Sequence, residues 1–184
     1  KAYYFGVARA IQALRLHEAP EVRFAGSSAG ALAATALALD ADIGEIKAFA
    51  MECAKEVRAN VVSAFRLRKF LNRIIDKQIK KMPSAYALMG ERVEVAVTRL
   101  PLGAARYKRF GDNETVRQAL LASCGVPVLA GLPFRLDGAL VCDGGMTDFQ
   151  PLPHGASRQE TITVSAMYFS RSFSMMRGSM LSLS

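Results

Sequence analysis

The sequence predicts an α/β fold, a three-layer domain in which helices flank a mainly parallel sheet. Three observations support this prediction. Apolar segments with helical spacing alternate along the chain with short β-branched runs. A serine between two glycines stands where one such run gives way to a helix. Of the 184 residues 51% are hydrophobic, which is enough for one sizeable core. We therefore expect one domain over residues 1–169 and a tail or linker over 170–184, where no strong periodicity is visible.

The first half of the chain is predicted to run helix, strand, helix, helix. The first three elements lie at 3–16, 21–25 and 28–39, and the last helix starts at Asp42, which has capping-box spacing with Glu45. The segment 28–39 contains no charged residue, so we expect its helix to be buried on most sides.

The second half is predicted to place strands around one further helix. Asn113 can cap this helix, which ends by Ser123 before a Gly-Val-Pro break. The predicted strands of this half are 93–98, 106–110 and 161–164, and the segment 136–142 is predicted to contain a turn at Asp137-Gly138 and a short strand.

The pentapeptide Gly26-Ser27-Ser28-Ala29-Gly30 joins the first predicted strand to the uncharged helix. This G-x-S-x-G layout is typical of a nucleophile elbow, in which a serine sits on a strained turn and small neighbours let the backbone pack closely. Free N–H groups at the start of the helix would favour a negative charge there, such as the oxyanion of an acyl-transfer intermediate. The alternative is a Gly-Ser turn that only packs the helix against the sheet.

A second motif, Asp143-Gly144-Gly145, follows an apolar strand directly. Ligands bind at the carboxyl ends of strands in open α/β sheets, and the two glycines permit close approach of another segment. If the fold brings Asp143 next to Ser28, the carboxylate can accept the hydroxyl proton. The structural alternative is a turn in which the aspartate caps local amides.

Positive charge is concentrated in one predicted helix. The formal net charge is +8, and residues 66–82 hold seven bases against one acid, Asp76. Such an amphipathic helix can be a solvated surface, a nucleic-acid patch or an element attracted to anionic lipid headgroups. We expect no nucleic-acid partner, because stacking aromatics and known binding motifs do not accompany the charge. The candidate membrane-facing bases are Arg66, Lys69, Arg73, Lys77 and Lys80.

Composition argues against a membrane-spanning, a secreted or a metal-stabilised protein. Every apolar run is shorter than the roughly eighteen residues of a membrane span, and the first residues do not resemble a signal peptide. The three cysteines, Cys53, Cys124 and Cys142, lack C-x-x-C spacing. We therefore expect a reduced, cytoplasmic environment and no structural metal.

The elbow and the later Asp-Gly-Gly motif, in this order, resemble the patatin-like phospholipase family. Segment 3–8 resembles the first helix of that family, 123–127 the end of the helix before its aspartate, and 143–151 its DGG-to-proline stretch. Segment 161–165 resembles a strand of the animal branch that contains adiponutrin and adipose triglyceride lipase. The likeness spans about residues 3–166.

This resemblance implies a hydrolase of acyl esters in glycerolipids or phospholipids, with a Ser-Asp dyad of Ser28 as nucleophile and Asp143 as base. No metal or organic cofactor is implied. The backbone N–H of Ala29 would be one oxyanion donor, and the others would come from a glycine-rich loop upstream of Lys1. Since loss of one such donor costs about 10²- to 10³-fold in rate, we expect the 184-residue segment alone to be poorly active. The enzyme would meet its substrate peripherally, at a membrane or lipid-droplet surface.

The sequence is also compatible with three alternatives to a Ser-Asp hydrolase. Ser28, Asp143 and His154 follow the chain order of an α/β-hydrolase triad. The domain could be a catalytically silent module that binds lipid or a protein partner. It could also be an acyltransferase, because an acyl-enzyme can pass its acyl group to an alcohol as well as to water.

Overall fold

A computed structural model of the chain describes residues 2–58, 67–80, 82–101, 103–125 and 132–165, and the predicted tail over 170–184 lies outside them. Helices and strands alternate within these ranges. The helices are α1 (Ala2–Ala13), α2 (Ala29–Ala38), α3 (Ile43–Arg58), α4 (Leu67–Lys80), α5 (Ala85–Met89) and α6 (Asn113–Ser123). The strands are β1 (Phe24–Ser27), β2 (Val93–Arg99), β3 (Gly103–Tyr107), β4 (Phe134–Leu136) and β5 (Ala139–Asp143).

The predicted α/β class with flanking helices is confirmed, but the sheet is mixed where the sequence predicted mainly parallel strands. Only β1 and β2 pair in parallel among the described strands. Strand β2 pairs antiparallel with both β3 and β5, and β5 pairs antiparallel with β4. Short connections explain the difference, because β2 to β3 and β4 to β5 are joined by a few residues and form hairpins.

The two faces of β2 have different surroundings. Val93, Val95 and Val97 are fully buried and share one core with apolar residues of α2, α4, α5 and α6. The alternate residues Glu94 and Thr98 point to the opposite face, where they bond to His154 and Thr147 of the segment that follows β5. A second core joins α1, α2 and α3 through Ala8, Leu37 and Ile43 among others.

Several element boundaries differ from the prediction. The predicted strand over 161–164 is not formed, and these residues are irregular. Helix α6 begins where predicted, but its cap is Asp112, whose Oδ1 accepts the Thr115 amide at 2.7 Å. Asn113 instead bonds the amide of Tyr86 at 3.0 Å, which ties α6 to the unpredicted short helix α5. Among the described residues, none of the helices combines the length and the apolar character needed to cross a membrane.

Candidate active site

Ser28 sits on a strained turn between β1 and α2. Its backbone has φ 53° and ψ −125°, a conformation that side-chain-bearing residues rarely adopt and that costs about 1–3 kcal/mol. The amides of Ala31 and Leu32 bond the carbonyl of Ser28 at 3.0 and 3.3 Å, so α2 starts immediately after the turn. The hydroxyl makes no capping bond to α2, which leaves it available for other chemistry.

Gly26 lets the strand approach the helix at this turn. A Cβ added to Gly26 would overlap the backbone of Gly30 and Ala31, so only glycine fits. Gly30 is different, because a Cβ there would meet no atom of the described structure within 4 Å. The G-x-S-x-G motif therefore contains one glycine that the packing requires and one that the described packing does not.

The register of β2 brings Ser28 and Asp143 to the same place. Strand β3 occupies one edge of β2 along residues 95–99, so β1 and β5 share the other edge. On that edge Ser27 lies opposite Ala96, and Asp143 lies opposite the next residue, Val97. Because β1 runs parallel to β2 and β5 runs antiparallel, their carboxyl ends meet head to head. One residue of β2, a rise of about 3.3 Å, separates the two points of pairing.

Asp143 is held rigidly in a buried position. Its side chain accepts the amide of Gly145 at 2.8 Å, and its own carbonyl accepts the hydroxyl of Thr98 at 2.8 Å. A Cβ on Gly144 would overlap the carbonyl group of Ala96, which explains why the chain turns over β2 at a glycine. The predicted Asp-Gly-Gly turn therefore forms, with its side chain capping an amide.

The carboxylate of Asp143 has an unusual electrostatic environment. Burial raises its pKa above the ordinary value of 3.8, while hydrogen bonding by the Gly145 amide and by the Ser28 side chain acts in the opposite direction. Its Oδ2 is buried and has no partner with normal hydrogen-bond geometry among the described residues. The Ser28 hydroxyl is thus near enough to influence the carboxylate without making a standard hydrogen bond to it. A carboxylate with one oxygen anchored and the other free is suited to accept a proton.

His154 lies apart from these two residues. Its backbone amide donates to Glu94 Oε1 at 2.7 Å and the residue is exposed. Within the described part of the chain, no hydrogen bond joins its ring to Asp143 or to Ser28. The geometry thus gives no support to the triad alternative.

A partly exposed ion cluster around the buried Glu94, which the sequence did not suggest, supports the segment after Asp143. Glu94 is 4% exposed and bonds Arg106 Nη1 at 3.3 Å, while Arg106 Nη2 bonds Asp148 at 2.7 Å. The same guanidinium also donates to the carbonyl of Leu152. Arg106 therefore fastens the segment that follows Asp143 to the face of β2 opposite the helices. Because Glu94 and Asp148 are far apart in sequence, no local motif indicated this cluster.

A cavity of about 150 Å³ lies beside the elbow. It runs between α1, the free edge of β1 and the irregular segment 161–164, and it reaches Ser27 and Gly30. Ser28 and Asp143 do not line it, although Ser27 at the end of β1 does. In the described ranges, no group of three or more histidine, cysteine, aspartate or glutamate side chains could hold a metal ion.

The candidate membrane-facing bases have differing surroundings. Lys77 pairs with Glu45 at 3.2 Å and lies 4.7 Å from the ring centre of Phe49, so it packs against α3. Arg73 lies over the same ring at 5.2 Å, whereas Lys69 is exposed. Arg66 and the Lys80 side chain lie outside the described part of the structure, as does Lys1.

The fold and the site together define a class, the α/β proteins with a serine on a strand-to-helix elbow. The comparison with protein families specifies it further: the family described as patatin-like phospholipase matches residues 2–154. The chain belongs to the patatin-like phospholipase family.

Individual relatives agree with this assignment. Patatin-like phospholipase domain-containing protein 2 of Homo sapiens is 33% identical over 174 residues, which cover 89% of this chain and 33% of the relative. The 1-acylglycerol-3-phosphate O-acyltransferase Pnpla3 of Mus musculus is 28% identical over 149 residues, 79% of this chain and 35% of the relative. The omega-hydroxyceramide transacylase of Homo sapiens is 30% identical over 139 residues, 70% of this chain and 25% of the relative. The chain thus spans about a third of the length of the first of these relatives.

Proposed function

We propose that the protein is a serine hydrolase of acyl esters in glycerolipids or phospholipids, with Ser28 as nucleophile and Asp143 as base. The observation that supports this most directly is the head-to-head meeting of β1 and β5 on one edge of β2. Membership of a family described as phospholipases supports a lipid substrate. The dyad requires only the residues at this meeting point.

The proposed reaction has two steps. The Ser28 hydroxyl attacks the ester carbonyl while Asp143 Oδ2 takes its proton, and the proton then leaves with the alcohol as the ester bond breaks. Water attacks the acyl-serine in the second step, so that the fatty acid is released and the serine is regenerated. The first amides of α2, those of Ala29 and Gly30, have no acceptor in the described residues and are suited to stabilise the oxyanion.

Acyl transfer is a second candidate function that the relatives favour specifically. Two of them are named as an acyltransferase and a transacylase. The same acyl-serine would then pass its acyl group to an alcohol in place of water. Product analysis with and without an added acyl acceptor distinguishes the two outcomes.

A fluorophosphonate probe applied to the full-length protein tests the proposed nucleophile. Such probes form a covalent bond with an activated serine, so the wild type is expected to be labelled and Ser28→Ala is expected to lose the label completely. Ser27→Ala serves as the neighbouring control and should remain labelled. Absence of labelling in a folded wild-type sample would contradict the enzyme proposal and favour a silent binding module.

We also propose that the exposed side of α4 contacts anionic headgroups at the surface of a membrane or lipid droplet, without inserting into it. One surface base contributes about 1 kcal/mol to such binding. Lys69→Glu is therefore expected to weaken binding to phosphatidylserine vesicles about fivefold or more, with unchanged turnover of a soluble short-chain ester. The control Lys108→Glu reverses an exposed lysine outside α4 and should bind as the wild type does. Equal weakening by both changes would show that only net charge matters.

A further inference from the structure

Ser123, the last residue of α6, is a fully buried serine in contact with the elbow. Its side-chain oxygen accepts the amide of Ser28 at 2.9 Å and donates its proton to the carbonyl of Ala96 at 2.6 Å. A buried hydroxyl without partners would destabilise the fold, but this one has both a donor and an acceptor. Ser123 therefore joins α6, the turn after β1 and β2 at one point.

The position of this hydroxyl within the sheet is informative. In the parallel pairing of β1 and β2, the amide of Phe24 bonds the carbonyl of Arg92 at 2.7 Å. Bonds of this kind recur at every second residue, so the same ladder would pair the amide of Gly26 with the carbonyl of Glu94 and then the amide of Ser28 with the carbonyl of Ala96. The Ser123 hydroxyl stands between these two groups and bonds both. It thus takes the place of a ladder bond and separates β1 from β2 where the elbow begins.

The same end of α6 also contacts the second strand end. The carbonyl of Gly125 accepts the amide of Asp143 at 3.1 Å. Helix α6 is firmly fixed, because Val116, Ala119 and Leu120 are fully buried in the main core. A single rigid helix end therefore bonds the backbone amides of both Ser28 and Asp143.

We propose that Ser123 is a positioning residue, whose hydroxyl holds the Ser28 amide away from β2 and so directs the Ser28 side chain toward Asp143. This inference rests on the proposed function. Fixing the Ser28 amide fixes the peptide plane that precedes Ser28, and with it the direction of the Cα to Cβ bond. Without the hydroxyl, the amide would be left unpaired or would close on Ala96, and the serine oxygen would move in either case. Displacements of about 1 Å at a reacting atom cost on the order of 100-fold in rate.

The test compares Ser123→Ala with Ser123→Thr in the full-length protein, using a soluble short-chain ester. Ser123→Ala is expected to lower kcat on the order of 100-fold and to leave KM within about threefold, because Ser123 is fully buried and bonds only the backbone of Ser28 and Ala96. Ser123→Thr keeps the hydroxyl and is expected to recover much of that loss. The matched control is Thr35→Val, which removes a fully buried hydroxyl that has no partner in the described residues. All rates are normalised to the folded fraction, and the rate of fluorophosphonate labelling at Ser28 is measured in parallel.

Two results would overturn the positioning role: wild-type kcat and labelling rate in Ser123→Ala, or an equal loss in Ser123→Ala, Ser123→Thr and Thr35→Val. Failure of the proposed function is recognised separately. If Ser28→Ala hydrolyses the ester as fast as the wild type, the nucleophile is wrong. If Ser28→Ala is inactive and Ser123→Ala is fully active, only the positioning role fails.

Discussion

Asp143→Asn is expected to reduce ester hydrolysis by the full-length protein about 10⁴-fold or more. The amide side chain is nearly the same size but cannot take the proton of Ser28, and loss of the activating base in serine hydrolases has effects of this order. The kcat of folded protein on a soluble ester is the measurement. His154→Ala is the control and should stay within about threefold of the wild type, because this exposed residue uses its backbone amide in the structure. A loss of 10³-fold from His154→Ala would replace the dyad with a triad.

The same proposal predicts a pH dependence. Asp143 must be ionised to act as a base, and burial raises the pKa of its carboxyl above 3.8. Activity is therefore expected to fall as the pH is lowered through this raised pKa, so the acidic limb of kcat/KM should lie above 3.8. In Asp143→Asn the residual rate should lack that limb. A limb at 3.8 would contradict the raised pKa. A wild-type profile that keeps the same acidic limb in Asp143→Asn would contradict the role of Asp143 as the base.

Gly26→Ala is expected to destabilise the fold by about 3 kcal/mol or more. The added methyl group would overlap the backbone of Gly30 and Ala31, and backbone atoms cannot rotate away as a flexible side chain can. For a domain of this size such a loss lowers the midpoint of thermal unfolding by roughly 6–12 °C.

Gly30→Ala is the matched control for this change, since it adds the same methyl group four residues further on. A Cβ there meets no described atom within 4 Å, and alanine is the better helix former by up to about 1 kcal/mol. Gly30→Ala should therefore unfold at the wild-type temperature or slightly above it. If both variants unfolded alike, the close approach of β1 and α2 would not be what requires Gly26.

The parts of the fold that could be predicted from the sequence are those fixed by local chemistry. The elbow was recognisable because a strained serine needs small neighbours, and α6 because a capping residue type at its start is followed by a Gly-Val-Pro break at its end, although the cap is Asp112 and not Asn113. The Asp-Gly-Gly turn was recognisable because its two glycines directly follow an apolar strand. The resemblance of the two motifs to the patatin-like phospholipases also made a pairing of Ser28 with Asp143 a sensible hypothesis, and their roles stay predictions until the variants are measured.

The parts that could not be predicted depend on contacts between distant segments. Strand β5 has the apolar pattern of a buried strand, which is the same for parallel and antiparallel pairing, so its direction was not readable. Ser123 looked like an ordinary helix-end residue, because its two hydrogen bonds reach Ser28 and Ala96, both more than 25 positions away. The Glu94 and Arg106 cluster was hidden for the same reason.

The head-to-head arrangement of β1 and β5 has a mechanical consequence. The two strands pair with neighbouring stretches of β2 and do not pair with each other. The distance between Ser28 and Asp143 therefore depends on β2 and on the end of α6, which bonds the backbone amides of both residues. Any stretching or bending of β2 near Ala96 and Val97 would change that spacing directly. The stiffness of β2 at these residues therefore determines how constant the distance between Ser28 and Asp143 is.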